Sequence, residues 1–181
     1  MPLLIGHALA GATVCVAAGA DPLKSSDRKI VLAGAILGAF PDVDLIFPWL
    51  LGLGIGWHSG FTHSILFALA AGILAAWSLE RWNTKLTLTL ICAALTHPLL
   101  DAAMKRTYSG AALFWPFTHK KYRLGLMDYF SFYPDSNLDP PLVLVLRACQ
   151  ISFYELLIFG TIFVLVWKAS RIIRQRKLNA I

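Results

Sequence analysis

Long apolar runs separated by short polar segments constrain this chain more than any other feature. The runs cover residues 3–20, 30–56, 62–79, 86–104 and 142–167. Charged residues make up only 14% of the 181 residues, whereas an average soluble domain contains about 25%. A chain with so little charge cannot cover its surface with groups that water solvates, so lipid has to cover part of it. We therefore predict an integral membrane protein.

The second run is interrupted at Pro41, soon after it begins at Ile30. The helix before the proline rises only about 16 Å, roughly half of the apolar core of a bilayer. Residues 45–56 either complete the crossing as a second half-helix or lie at the interface. Gly34 and Gly38 add a GxxxG spacing, which permits close helix contact. The sequence predicts an all-α, polytopic membrane helix bundle with about five membrane-embedded helices, the second one broken at Pro41.

Residues 105–140 differ from the runs around them because they are rich in Tyr, Ser, Asp, Asn and Pro. We interpret them as an extramembrane excursion of a single integral membrane domain that covers residues 1–181. Thr62 is placed to cap the helix that follows it. No positively charged segment precedes the first run, so we expect no cleaved signal peptide and expect the protein to keep His7.

The net charge of +6 does not indicate nucleic-acid binding, because the basic residues form short clusters between apolar runs and no basic stripe. If the runs alternate in direction, ten Lys and Arg residues lie on one side of the membrane and six on the other. The positive-inside rule then places the N-terminus and the 105–140 excursion outside the cytoplasm. The three cysteines are isolated in apolar runs, which argues against disulfides or a Cys-based metal site.

This topology brings histidines and aspartates from four segments to the same outer face. Ionisable groups at membrane depth are costly and are usually functional. Imidazole and carboxylate together suit Zn, Mn or Fe better than Ca or Mg. The sequence therefore predicts a divalent metal centre, with Zn favoured and with one or two ions. The predicted ligands are His7, Asp42, Asp44, His58, His63, His97 and Asp101.

Each of these residues also has a structural interpretation. His97 and Asp101 are four residues apart and share a helix face, but that spacing is common. If the chain is extended after Pro41, Asp42 and Asp44 point the same way, although an aspartate there also caps helices. Glu155 lies inside the fifth run and should face the bundle, either as the partner of a ligand or as a purely structural group.

Five motifs occur in a recognisable order. They are Gly6-His7, Phe40-Pro41-Asp42-Val43-Asp44, Gly60-Phe61-Thr62-His63-Ser64, His97-Pro98-Leu99-Leu100-Asp101 and Leu113-Phe114-Trp115-Pro116-Phe117. Together they resemble the YdjM-type bacterial proteins, known as LexA-regulated, membrane-bound, metal-dependent hydrolases. The resemblance covers roughly residues 1 to 120. It implies hydrolysis and a bound metal, and it leaves the substrate open.

The leading hypothesis is metal-assisted hydrolysis of a lipid or lipid-linked ester, most plausibly a phosphoester, at the outer face of the cytoplasmic (inner) membrane. Either Asp44 or Asp101 would act as general base. Basic residues of the excursion would hold the anionic substrate, or would simply be a solvated loop face: Lys105, Arg106, His119, Lys120, Lys121 and Arg123.

Two further hypotheses belong to other classes. A non-catalytic metal-binding membrane protein, such as a transporter or a scaffold, remains the alternative. A transporter should offer polar residues along a path through the bilayer, whereas the predicted ligands stay at one face and only Glu155 lies deep. A membrane metallopeptidase is disfavoured because the sequence contains no HExxH motif.

Overall fold

Five α-helices organise the protein in the computed structural model, which describes residues 3–45, 50–51, 58–79, 83–104, 110–126 and 140–179. The helices are α1 (Leu4–Ala17), α2 (Ser25–Ala39), α3 (Ile65–Ser78), α4 (Thr84–Ala103) and α5 (Pro141–Asn179). Short 3-10 turns follow α2 (Phe40–Leu45) and precede α3 (Phe61–His63). No β-strand forms within the described ranges. The predicted all-α bundle is confirmed.

Helix α2 ends at the predicted break. Pro41 lacks a backbone N–H and its ring crowds the preceding turn, so α2 stops at Ala39 and the chain tightens into the 3-10 turn. The chain is not extended after Pro41, the case in which Asp42 and Asp44 would point the same way, because both lie on this 3-10 turn. The rest of the apolar stretch 45–56 falls mostly outside the described residues.

Glycines allow α1 and α2 to touch backbone to backbone. A Cβ added to Gly11 would lie 2.1 Å from the carbonyl oxygen of Gly34, and one added to Gly38 would lie 2.2 Å from the carbonyl oxygen of His7. These distances are far below van der Waals contact, so no other residue fits without separating the helices. The GxxxG spacing thus holds the start of α1 against the end of α2.

Within the described ranges, two helices are long and apolar enough to cross a membrane. They are α4 and the Val145–Arg176 part of α5, with mean hydropathies of 1.5 and 1.9. Helices α1 and α3 are apolar but have 14 residues each; such a helix rises about 21 Å, less than the roughly 30 Å apolar core of a bilayer. Large apolar side chains of α5 are exposed, as expected of a helix that faces lipid. These features describe a membrane helix bundle.

Helix α5 runs parallel to α1 and contacts it at both ends. At the beginning of α1, the carboxylate of Glu155, from the first half of α5, accepts hydrogen bonds from backbone N–H groups. At the end of α1, Arg174 Nη1 donates to the Gly19 carbonyl at 2.7 Å, and Trp167 Nε1 donates to Asp21 Oδ1 at 3.2 Å. Because an earlier part of α5 meets the start of α1 and a later part meets its end, the two helices point the same way.

The cap of α3 differs from the prediction. Ser64 is the N-cap residue, and its Oγ accepts a hydrogen bond from the Phe67 N–H at 3.1 Å. Thr62 lies two residues earlier, on the 3-10 turn, and its hydroxyl donates to Asp44 Oδ2 at 2.5 Å. The residue predicted to cap the helix therefore contacts the aspartate turn, which brings the start of α3 and the end of α2 together.

Residues 110–126 form a non-helical segment that covers this end of the bundle. Its backbone is tied to the neighbouring loops: the Ala112 N–H donates to the Ser59 carbonyl at 3.2 Å, and the Leu113 carbonyl accepts from Ile65. The Leu124 N–H donates to the carbonyl of Ala102, at the end of α4. The described part of the predicted excursion is thus ordered against the loops that carry the histidines.

Candidate metal centre

The seven residues predicted as ligands come together at one end of the bundle. Their side chains arrive from four places: the first turn of α1, the turn after α2, the loop and turn before α3, and the last turns of α4. All seven are buried, and none is more than 9% exposed. They are His7, Asp42, Asp44, His58, His63, His97 and Asp101. Burial of this many ionisable groups is costly unless each is neutralised or paired.

Four donor atoms form the middle of the cluster. His63 Nε2 and His97 Nε2 face each other at 2.9 Å. Asp101 Oδ2 lies 3.4 Å from His63 Nε2 and 3.5 Å from His97 Nε2. On the other side, Asp42 Oδ1 lies 3.7 and 3.5 Å from the same two nitrogens. Two imidazoles and two carboxylates therefore direct their donor atoms toward one small volume.

These separations fit a transition metal. With bonds of about 2.0–2.2 Å, donor atoms lie about 3.3–3.6 Å apart around a tetrahedral ion and about 2.8–3.1 Å apart around neighbouring positions of an octahedral one. Four of the five separations, from 2.9 to 3.5 Å, fall within these ranges, and the fifth, 3.7 Å between His63 Nε2 and Asp42 Oδ1, lies just above them. Two facing imidazole nitrogens can share one proton at most, whereas a cation between them is bound by both lone pairs.

Buried polar atoms without hydrogen-bond partners provide a second test of whether the cluster fits a metal ion. Among the described residues, the buried side-chain nitrogens and oxygens without a hydrogen-bond partner all belong to the cluster: His7 Nδ1, His7 Nε2, Asp42 Oδ1, His58 Nε2 and Asp101 Oδ1. Native proteins satisfy nearly all buried polar groups, so such atoms require an explanation. Lone pairs available for coordination explain four of the five directly.

Overlapping sets of donors leave room for more than one ion. Three triads have donor atoms within 4.8 Å of one another: His7 with Asp42 and His97, Asp42 with His58 and His63, and His63 with His97 and Asp101. The triads share members, so they form a single centre. His7 extends it on one side, with Nε2 3.4 Å from Asp101 Oδ1, and His58 extends it on the other.

Hydrogen bonds at Nδ1, the ring nitrogen that faces away from the centre of the cluster, set the orientation of three histidines. His97 Nδ1 lies 2.7 Å from the Gly38 carbonyl oxygen, so His97 donates there and turns Nε2 inward. His58 Nδ1 lies 2.6 Å from Asp44 Oδ1. His63 Nδ1 lies 3.0 Å from the Thr62 hydroxyl. Partners of this kind fix the tautomer and ring angle of metal-binding histidines.

Asp44 has different neighbours from the other two aspartates. Its oxygens contact the Nδ1 atoms of His58 and His63 and the Thr62 hydroxyl, not the inward-facing Nε2 atoms. Asp44 therefore lies beside the cluster, where it orients imidazoles.

The residues predicted to hold substrate lie farther out. His119, Lys120 and Arg123 are exposed on the 110–126 segment. The predictions for Lys105 and Arg106 fall outside the described residues. Lys121, which the sequence also offers as a basic residue for an anionic substrate, lies closer in, and its Nζ donates to the His58 carbonyl at 2.9 Å. Several basic residues stand side by side in this part of the sequence, and spacing alone does not select the one that approaches the histidine loop.

Comparisons with known proteins agree with the membrane setting. The model of the YdjM inner membrane protein family matches residues 1–175. The inner membrane protein YbcI of Escherichia coli (strain K12) is 30% identical over 129 residues, which cover 67% of this chain and 72% of the relative. No solved structure matches the chain. The matched region includes every residue of the cluster.

Proposed function

This chain belongs to the YdjM inner membrane protein family, and from that premise we propose that it is a membrane-embedded, metal-dependent hydrolase. Its substrate is a phosphoester of a lipid or lipid-linked molecule. The observation that carries the proposal is the convergence of His63, His97, Asp42 and Asp101 in a buried site with donor separations of 2.9 to 3.7 Å. Site-directed loss of these donors is the direct test.

In this proposal, the four central residues are the principal ligands of a divalent ion, with zinc favoured. His7 and His58 complete the set and provide for a second ion. An ion held there would act as a Lewis acid, polarising a phosphoryl oxygen and lowering the pKa of a water molecule. The buried carboxylates supply the negative charge that makes the site selective for a dication.

The two aspartates considered as general base have separate roles. Asp101 lies within 3.5 Å of three imidazoles, so its oxygens serve the ion. Asp44 contacts His58 Nδ1, so with a single ion bound His58 Nε2 is available to accept a proton from the attacking water, whereas with a second ion it would be a ligand. Asp44 then stabilises the imidazolium that forms, as the carboxylate of an Asp–His pair does in other hydrolases.

Aromatic and basic residues around the site favour a lipid substrate. Phe61, Phe114 and Phe117 are 43%, 46% and 88% exposed, and the Phe61 ring lies 5.8 Å from that of Trp115. Exposed aromatic rings are typical of the headgroup level of a bilayer. The neighbouring Lys120 and Arg123 would attract a phosphate at that depth. The Lys and Arg distribution favours a multi-pass orientation with this end at the periplasmic side.

Metal analysis of the purified protein, followed by a screen of phosphorylated lipids, tests the proposal. We expect one or two zinc ions per chain and release of a phosphorylated or phosphate product. His63→Ala and Asp101→Ala should each lose the metal and the activity. Asp27→Asn is the matched control, since Asp27 lies in the first turn of α2, at the opposite end of the bundle, and bonds to the Asp21 N–H.

The possible outcomes separate the alternatives. Full turnover of a phospholipid by either cluster variant would refute the proposed active site. Bound metal without hydrolysis of any ester would instead favour the non-catalytic metal-binding protein. Hydrolysis of soluble phosphoesters but not of lipids would retain the metal chemistry and reject the lipid substrate.

A further inference from the structure

We infer that Glu155 is a positioning residue that sets His7 in the metal centre by fixing the first turn of α1. The inference rests on the proposed metal centre. It gives a role to the one acidic side chain that lies deep within the apolar run of α5. Glu155 is fully buried, and it lies on the last helix of the chain, far in sequence from the residues it contacts.

The Glu155 carboxylate takes the place of a helix cap. Its Oε1 accepts a hydrogen bond from the Leu3 N–H at 2.5 Å, and its Oε2 accepts one from the Gly6 N–H at 3.0 Å. Leu3 is the N-cap residue of α1 and offers no side-chain cap of its own. The N–H groups of the N-cap and of the third helical residue are the two that a capping box satisfies. Here a single carboxylate from α5 satisfies both.

Gly6 makes this contact possible. A Cβ at Gly6 would lie 3.0 Å from Glu155 Cδ and 3.2 Å from both carboxylate oxygens. Alanine at this position would push the carboxylate away from the two N–H groups. The negative charge also lies at the positive end of the α1 dipole, which strengthens the attachment. The first turn of α1 is therefore fixed by α5 and not by its own sequence.

His7 depends on that attachment more than the other histidines do. His58, His63 and His97 each have a partner at Nδ1, whereas neither ring nitrogen of His7 has a hydrogen-bond partner among the described residues. The His7 ring is placed by stacking on His97, with centroids 3.8 Å apart, by the approach of its Nε2 to 3.4 Å from Asp101 Oδ1 inside the centre, and by its backbone. Since His7 directly follows Gly6, movement of the first turn moves His7.

The Co²⁺-loaded protein in detergent provides the test, because the visible absorption of Co²⁺ reports its ligand set independently of activity. Glu155→Ala should change the spectrum in the same way as His7→Ala and weaken Co²⁺ binding about tenfold, the effect typical of losing an outer-shell partner. The double variant should differ little from His7→Ala alone, because both changes remove the same ligand.

Arg174→Ala is the matched control, since Arg174 also attaches α5 to α1 but does so at the opposite end. It should lower the thermal midpoint and leave the Co²⁺ spectrum and affinity unchanged. Glu155→Gln retains one good acceptor and should give an intermediate spectrum. Gly6→Ala disturbs the same contact from the other helix and should shift the spectrum in the same direction.

Two results would overturn the inference, and they are distinguishable. If the Glu155 variants lower the thermal midpoint but leave the Co²⁺ spectrum and affinity as in the unmodified protein, Glu155 is only structural. Should Glu155→Ala fail to fold, unchanged spectra in Glu155→Gln and Gly6→Ala lead to the same conclusion. Absence of Co²⁺ binding by the unmodified protein would instead reject the proposed metal centre itself.

Discussion

Both ends of the α1–α5 pair carry buried or partly buried charged groups, but the two ends differ in whether these groups have hydrogen-bond partners. At the end of α1, Asp21 is paired with Trp167 Nε1, with Arg174 and with the Leu23 N–H. At the start of α1, the cluster around His7 retains several buried atoms without hydrogen-bond partners. One end satisfies its polar groups within the protein, as a structural contact must. The other keeps donors directed toward a common point, which is the arrangement that a ligand requires.

The comparison separates polar groups that stabilise the fold from polar groups that are arranged to bind a ligand. Polar groups that only hold helices together are expected to contribute the same stability whatever the solution contains. Groups arranged around a common point contribute fully only when the ligand is bound. The two ends should therefore respond differently to metal, and the following experiments test that difference.

Metal removal should produce the largest effect. At a metal concentration about a thousandfold above the dissociation constant, binding stabilises the native state by about 4 kcal/mol, so chelation should lower the thermal midpoint by about 10 °C in a chain of this length. Asp101→Asn should abolish the dependence on metal, and Arg174→Ala should retain it. Thermal unfolding with zinc and with chelator measures both. Equal loss of metal dependence in the two variants would contradict the comparison.

Replacing individual aspartates should give the next largest effect and separate the ligands from their orienting partners. Asp42→Asn removes a central donor and should weaken zinc binding about a hundredfold, whereas Asp44→Asn acts through His58 and His63 and should weaken it about tenfold. Competition titration with a chromophoric chelator gives both affinities. A weaker effect at Asp42 than at Asp44 would reverse the roles assigned to the two residues.

The same Asp42→Asn variant should be more stable than the unmodified protein when metal is removed. Three buried carboxylates repel one another without a cation, so neutralising one relieves the repulsion. We expect the metal-free thermal midpoint to rise by about 2–4 °C. Asp27→Asn, at the other end of the bundle, should not raise it. A fall in the metal-free midpoint of Asp42→Asn would show that the carboxylate contributes to the fold by itself.

The smallest effect should come from a change at the end of α1, where Asp21 is paired within the protein. Arg174→Ala removes the contacts with the Gly19 carbonyl and with Asp21 and should lower the thermal midpoint by about 2–4 °C, which corresponds to about 1 kcal/mol for a partly exposed charged group in a protein of this length. Zinc affinity should not change. A fall in zinc affinity would mean that the Arg174 contact at the end of α1 is coupled to the metal centre at its start.

Much of the architecture follows from the sequence because its causes are local. Pro41 ends α2 through its own ring and missing N–H, and the Gly34 and Gly38 spacing permits the contact with α1. The convergence of the histidines and aspartates could also be predicted, since helices that alternate across a membrane return to the same face. His97 and Asp101 then need only a shared helix face to meet.

The details of the site depend on contacts between distant segments, and local patterns do not encode them. Whether Thr62 or Ser64 caps α3 depends on how the turn approaches Asp44. The separate role of Asp44 follows from a 3-10 turn that the pattern after Pro41 does not specify. Likewise, the choice between a structural and a site-related Glu155 required its bonds to Leu3 and Gly6, which lie at the other end of the chain.

The attachment of α5 to the start of α1 also has a consequence for biosynthesis. The ribosome makes His7 long before the carboxylate that holds its helix, which belongs to residue 155. The nascent chain therefore contains α1 to α4 before the Glu155 contact that fixes the first turn of α1 exists. A product truncated before α5 would carry all seven candidate ligands and still lack this contact.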